Sequence, residues 1–333
     1  MQPSTKSSAA ADDPVARPLP GPSAAATPDG DVDLSLPVVP ARYPGRWVAA
    51  AAILVVLFFF LRSAISNPGY GWEVVLEYLL NGTVLRGFLW TLALTAAAMA
   101  IGILLGIVAA LMRQSSNPIL SVFAAGYIWL FRGTPLLVQL IFWYNLAALY
   151  RDVEIGLPFS APFFSIPTND LISPLTAALL GLGLNEGAYM AEIVRAGLLS
   201  VDPGQREAAY SLGLTPARTI RRIVLPQALR VIVPPTGNEI IGMLKATSLV
   251  SILAISDLLY SVQGIYGRTF QTIPLLIVAS IWYLIASTLL SLLQRLVERR
   301  LGRGHTGAQA DGLALLLTPL RQRLLQGARR GPR

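Results

Sequence analysis

Residues 207–226 read EAAYSLGLTPARTIRRIVLP, a polar run set between strongly apolar segments. Just upstream, Asp202-Pro203-Gly204-Gln205 supplies an aspartate N-cap, a proline at the first helical position and a glutamine placed to close a capping box. Gly213 fits the position past the helix end, where a positive φ carries no Cβ penalty. Thr215-Pro216 opens a second short helix, which is expected to stop before Pro226, because a proline ring clashes with the preceding turn. The segment therefore predicts helix, sharp glycine turn, helix. Between apolar stretches, such a loop reads as a docking piece that protrudes into water, although caps alone fit an ordinary amphipathic loop equally well.

Composition sets the surroundings. The 333 residues are 54% hydrophobic and only 13% charged, with a mean hydropathy of +0.58. These values place the chain among membrane proteins. It has no cysteine, which excludes disulfides, thiolate chemistry and cysteine-based metal sites. The single histidine, His305, lies in a polar tail and makes a poor catalytic base or metal ligand by itself.

Residues 1–46 are rich in Ala, Pro, Ser and Asp without an apolar period and are expected to be disordered. An unbroken apolar run over 47–61, extended to 65 if Arg62 snorkels, is a marginal spanning helix against the roughly 20 residues needed. Further apolar segments cover 88–111, 119–149 (interrupted at Arg132-Gly133-Thr134-Pro135), 171–198, 236–259 and 273–296. The periodicity is helical throughout, without the alternating strands of a barrel. The fold class is thus an all-α integral membrane protein with about six transmembrane helices.

The formal charge of +8 has a topological explanation. With the amino terminus in the cytoplasm, six spans put the Glu207 loop and both tails inside. Those segments hold Arg206, Arg218, Arg221, Arg222, Arg230, Arg299, Arg300 and Arg303, whereas the outer segments carry few, namely Arg86, Arg151 and Arg268. This positive-inside bias accounts for the charge without nucleic acid. The face of Arg218, Arg221 and Arg222, at i, i+3 and i+4, suits an acidic partner or anionic lipid, or plain solvent. The tail from Asp311 onward, apolar and basic but too short to span, suits a helix lying on the inner leaflet.

Four motifs in order carry a family resemblance. Glu207-Ala208-Ala209, three residues, Gly213, nine residues, then Ile223-x-Leu225-Pro226 resembles the EAA loop of ABC importer permeases. Phe131-Arg132-Gly133-Thr134-Pro135-Leu136-Leu137-Val138-Gln139, Ala188-Tyr189-Met190-Ala191-Glu192-Ile193-Val194-Arg195 and Lys245-Ala246-Thr247-Ser248-Leu249-Val250 resemble the polar amino-acid branch of that family. The resemblance covers residues 82–301 and implies a type I importer fold, with a five-helix permease core preceded by one extra N-terminal helix (47–65) and followed by a basic tail (302–333). It implies that Glu207, Ala208, Ala209, Gly213, Ile223, Leu225 and Pro226, within the loop 200–228, form the coupling helix that seats in an ATPase subunit. It implies three protein partners: the ATPase, a second permease chain, identical or homologous, and an extracytoplasmic amino-acid-binding protein. The expected site is the bacterial cytoplasmic (inner) membrane, with both termini in the cytoplasm.

The chain has no Gly-x-x-x-x-Gly-Lys-Ser/Thr run, and its only lysines, Lys6 and Lys245, do not follow a glycine. ATP-Mg therefore belongs on the partner, and no cofactor or metal is expected on this chain. Charges within apolar segments (Arg132, Glu186, Glu192, Arg195, Glu239 and Lys245) cost about 2.5–3.5 kcal/mol each at mid-bilayer and should face protein or a water-filled path. Internal ion pairing, as between Glu192 and Arg195, explains them as well as a translocation site does. As pathway candidates, Glu192, with Asn185 and Glu186 on the same span, offers polar groups to an amino acid, and Arg132 can meet its carboxylate. Thr134 and Pro135 can open the third span and free backbone groups toward the path. A secondary transporter or channel for a small polar solute would explain the same charges, but it would have no need of the 207–226 loop. A membrane scaffold would need no polar residues in its spans, and an enzyme lacks a usable His, Cys or carboxylate pair.

Overall fold

The computed structural model describes residues 44–155 and 162–301. The expectations for the amino-terminal tail through residue 43, for residues 302–333, including the surface helix of the tail, and for Lys6, His305 and Arg303 lie outside the described residues. The chain divides into two units, Met1–Ser63 and Ala64–Arg333. The described part of the first unit is most of helix α1 (Pro44–Ser66). At 23 residues and about 1.5 Å per residue, α1 exceeds a hydrocarbon core of roughly 30 Å, so the marginal apolar run lies in a helix of spanning length.

The second unit opens with α2 (Trp72–Leu79), a short helix absent from the sequence reading. The Trp282 indole donates to the Leu79 carbonyl at 2.9 Å, and Val75 is buried beside Leu275 and Val278, which pins α2 to the last helix. Then follow α3 (Gly82–Arg113), α4 (Pro118–Gly133), α5 (Leu136–Tyr144), an antiparallel hairpin of β1 (Asp152–Ile155) and β2 (Phe164–Pro167), and α6 (Thr168–Leu171). The hairpin corrects the purely helical expectation. Asp152-Val153-Glu154-Ile155 alternates polar and apolar residues, the period of a strand, but four residues are too few to stand out among long apolar runs. The remaining elements are α7 (Pro174–Leu199), α8 (Pro203–Ser211), α9 (Pro216–Thr219), α10 (Leu225–Ala246), α11 (Leu258–Thr269) and α12 (Thr272–Leu301).

Among the described residues, α1, α3 and α12 are long and apolar enough to cross a membrane. Two bent pairs bring the number to five: α4 with α5 at 103°, and Pro216–Leu253 with α11 at 48°. Helix α7 has 26 residues but is too polar to be counted, because Asn185, Glu186, Glu192 and Arg195 lie on it. Six spans are compatible with this arrangement.

Small residues explain why a polar α7 can sit at the centre. Gly102 and Gly106 of α3 lie against Glu186 and Met190 of α7, and Gly183 and Gly187 of α7 lie against Ile101 and Leu105 of α3. Glycines four apart on both helices let the backbones approach closely, as in small-xxx-small packing. Around this crossing, Leu94, Ala98, Leu140, Ala178, Leu182, Met243 and Leu253 form one buried cluster from α3, α5, α7, α10 and the turn that follows α10.

Two expectations about prolines are overturned. The second short helix does not stop before Pro226: α9 passes through a π-turn at Ile220–Val224 into α10, with Pro226 in the first turn of that helix. A first-turn N–H has no intrahelical partner anyway, so proline is tolerated there. The fifth span likewise begins at Leu225, not at 236, and continues through Pro234 and Pro235. Two carbonyls of this stretch accept from side chains: Thr236 donates to the Ile232 carbonyl at 2.8 Å, and Gln294 of α12 donates to the Pro234 carbonyl at 3.1 Å.

Candidate functional site

The loop of the opening motif forms as its caps dictate. Asp202 accepts from the Gly204 N–H at 2.7 Å, with Pro203 at the first helical position. Gln205 makes no side-chain hydrogen bond among the described residues, so the capping box is not closed. At the other end of α8, the Gly213 N–H donates to Tyr210 at 2.9 Å and the Leu214 N–H to Ala209 at 3.1 Å. This is the paired bonding of a Schellman turn. Gly213 has φ +76°, and a Cβ built on it would meet nothing within 4 Å. The requirement for glycine is therefore conformational.

The motif residues divide by role. Ala209 is buried at 1% exposure and Ile223 is half-buried, so these two anchor the loop. Glu207, Ala208, Gly213, Leu225 and Pro226 are exposed. Leu212, beside the turn, is 82% exposed, and Tyr210 and Ile220 are about half exposed. Arg218, Arg221 and Arg222 are exposed as well. The loop is tied to α7 through Arg206, which donates to the Leu198 carbonyl at 3.1 Å.

The pathway candidates do not form one cluster. At the break between α4 and α5, the Thr134 hydroxyl donates to the Leu130 carbonyl at 2.8 Å. Gln139 donates to the carbonyls of Phe131 and Thr134 at 2.9 and 3.1 Å and to the Thr134 hydroxyl at 2.8 Å. Asn185 of α7 donates to the same Phe131 carbonyl at 2.9 Å and to the Gln139 side chain at 3.3 Å. Side chains thus take up the Leu130, Phe131 and Thr134 carbonyls at the break. Buried carbonyls away from water need donors, and three side chains supply them. Gln139, the last residue of the Phe131–Gln139 motif, is the central donor of this staple, and its amide, five residues after Thr134, is the sequence signal for it.

Asn185→Leu removes one donor and leaves the Gln139 carbonyl oxygen without its Asn185 partner. It is expected to lower stability by about 1–3 kcal/mol, read as a lower melting temperature of the purified chain in detergent.

Glu192 and Arg195 form an ion pair at 2.6 Å, with both side chains partly exposed. Arg132 lies over the Tyr189 ring, 5.2 Å from its centre. Glu186 is 3% exposed, and its Oε1 has no hydrogen-bond partner among the described residues. Glu239 of α10 is half-buried and within electrostatic reach of both Glu186 and Arg132. It belongs with this charged seam more clearly than Thr134 or Asn185 does. The three-residue spacing of Glu192 and Arg195 leaves their role to a double variant. If the pair is only structural, Glu192→Gln lowers accumulation, and adding Arg195→Met restores it. If Glu192 also handles cargo, the double variant accumulates but keeps a raised uptake KM.

Comparison with known proteins fits this architecture. Residues 102–303 match the family model described as binding-protein-dependent transport system inner membrane component. The arginine transport system permease protein ArgU of Corynebacterium glutamicum is 44% identical over 275 residues, covering 80% of this chain and 83% of that protein. The glutamine transport system permease protein GlnP of Escherichia coli K12 is 35% identical over 219 residues, covering 66% of this chain and 92% of that protein. A crystal structure of an amino acid ABC transporter with histidines superposes with a TM-score of 0.55 at 39% identity, covering 66% of this chain and 94% of that chain. The MetNI methionine ABC transporter in an inward-facing form, at 19% identity and a TM-score of 0.52, shares the fold. With its polar loop closed by Gly213 and with α3, α4, α5 and α10 packed on α7, this chain belongs to the inner membrane components of binding-protein-dependent transport systems.

Proposed function

We propose that the chain forms the translocation pathway of an ATP-driven amino-acid importer and couples it to a separate ATPase through residues 203–226. The observation that carries the coupling role is the loop itself, a helix and turn held by their own backbone bonds, presenting a leucine that is 82% exposed. Leu212, with Tyr210 and Ile220 about half exposed on the same loop, fits a partner's cleft better than it fits solvent. The names of the relatives, which include arginine and glutamine permeases, support an amino acid as cargo. The extent of the arginine permease match makes a cationic amino acid the first to try.

Two such chains, identical or homologous, would enclose the path, with an extracytoplasmic binding protein delivering cargo and ATP-Mg held on the ATPase pair. Both termini and the loop would face the cytoplasm, as the arginine distribution favours. Binding of ATP and of the loaded receptor must favour the same state for transport to be coupled. Arg132, Glu186 and Glu192, joined by Glu239, would line the path, while Thr134 and Asn185 would hold the α4–α5 break in shape.

The test is uptake of labelled arginine into proteoliposomes that hold the chain with its co-purified ATPase, in the presence of the binding protein. Uptake that requires ATP inside the assay and stops without the ATPase is expected. Uptake driven by an ion gradient in the absence of ATP would establish the secondary-transporter reading instead.

A further inference from the structure

At the end of the bundle opposite the 203–226 loop, where α3 begins and α11 ends, a cleft of about 360 Å³ opens between the two helices. It is lined by Arg86 and Arg268 together with Thr83, Ser256, Trp90 and Tyr260, and by no acidic side chain. The positive-inside pattern leaves this side of the protein poor in arginine, yet two of its three assigned arginines converge here. Each guanidinium is anchored the same way. Arg86 Nε donates to the Gly82 carbonyl at 3.2 Å, and Arg268 Nε donates to the Gly264 carbonyl at 3.0 Å. This back-bonding fixes the fork and leaves the terminal nitrogens to meet an acceptor. Neither arginine is paired with a carboxylate among the described residues. On α11 the cleft borders Gly264, where a Cβ would meet nothing within 4 Å.

The cleft does not end at the polar level. A second hollow of about 280 Å³, lined by Arg86, Leu89, Trp90 and Ala93, continues along the exposed face of α3. From Arg86 to Ala93 it descends about 10 Å along the helix, and Leu89 is 62% exposed. The two hollows share Arg86 and Trp90. Together they offer two positive forks, hydroxyls and two amphipathic aromatic rings in one cleft, with an apolar strip that runs on from Trp90 along α3. Aromatic rings with arginines are the side chains that favour the membrane–water boundary. Arginine forks match phosphate oxygens in pairs.

We propose that this composite groove binds an anionic phospholipid, with the phosphate between Arg86 and Arg268 and an acyl chain along Leu89 and Ala93. The proposal rests on the membrane-spanning reading and is independent of which solute is carried.

The test is native mass spectrometry of the full chain, with the subunits that co-purify, in detergent doped with equal dioleoylphosphatidylglycerol and dioleoylphosphatidylcholine. Retention of the anionic lipid is expected to exceed that of the zwitterionic lipid by about 30-fold, roughly fivefold from each arginine. In Arg86→Gln/Arg268→Gln the preference should fall to within about twofold, with an unchanged melting temperature in detergent as the check on folding. Should that variant not accumulate, Arg268→Gln alone, on the exposed last turn of α11, should lower the preference about fivefold.

Equal retention of the two lipids by the unaltered chain overturns the proposal, as does a preference that survives both substitutions. Displacement of the bound lipid by inorganic phosphate at matched concentration would mark a soluble-anion site and also overturn it. So would loss of binding-protein association in the double variant with the lipid preference intact, which would assign the cleft to a partner's carboxylate.

Discussion

Gly213→Val leaves the chain in the membrane and abolishes its recovery with an ATPase subunit, while Gly213→Asn retains most of it. The φ of +76° at this position is open to glycine and tolerable for asparagine, but it costs a residue with a β-branch about 1–2 kcal/mol or more. Nothing lies within 4 Å of the Cβ position, so the effect must run through backbone conformation. Losing the left-handed turn also loses the Gly213 and Leu214 bonds to α8 and swings Leu212 away from its exposed position. The loop carries no part of the buried core except Ala209, Thr219 and Val224, so insertion and packing of the spans should survive. Pull-down of tagged chain from mild detergent, with membrane abundance measured in parallel, separates the two. Equal recovery from Gly213→Val and the unaltered chain sinks the coupling assignment. Equal loss in valine and asparagine variants would place the partner in direct contact with Gly213.

The loop was legible because its signals are local. An N-cap, a first-turn proline and a glycine past the helix end each act within four residues, so their reading needs no knowledge of the rest of the chain. The spans were legible for a similar reason, since a bilayer selects long apolar runs whatever packs against them. Proline misled because its meaning depends on position within a helix that the sequence does not delimit. Pro226 reads as a stop if the preceding helix is the reference and as a first-turn residue if the following one is. Pro234 and Pro235 lie inside α10, and the Pro234 carbonyl accepts from Gln294 of α12, a partner 60 residues away that local pattern does not show.

The polar residues of the spans were found by their cost in a membrane, but their roles required the fold. Thr134 and Asn185 looked like pathway groups because they are polar and central. Both point at carbonyls released by the α4–α5 break, a requirement created by the 103° bend and invisible without it. Glu192 faces Arg195, which spacing alone suggested. Glu186 and Glu239 come together from α7 and α10, separated by 53 positions, through packing that no periodicity encodes.

Gly106→Ala, and more so Gly102→Ala with Gly106→Ala, lowers accumulation of the chain in the membrane, whereas Gly126→Ala on α4 does not. A methyl group on Gly106 would press on the Met190 side chain and lie 2.9 Å from the Met190 carbonyl carbon and 3.0 Å from the Ala191 nitrogen. Backbone cannot step aside as a side-chain tip can, so α3 and α7 must separate. Overpacking of this kind costs about 1–3 kcal/mol per site. At Gly102 the methyl would meet the Cβ and Cγ of Glu186, so the same separation displaces the charged seam. The double variant should therefore lose transport beyond its loss of protein, measured as uptake per immunodetected chain. Gly126 has nothing within 4 Å of its Cβ position, and alanine there removes a helix-interior glycine at a gain of roughly 0.5–1 kcal/mol. Full accumulation and full specific uptake in the double variant would show that α3 and α7 do not pack through their glycines in the membrane. The assignment of α7 as the polar centre of the permease would fall with them, since the buried Asn185 and Glu186 tolerate the bilayer only while the neighbouring helices cover them.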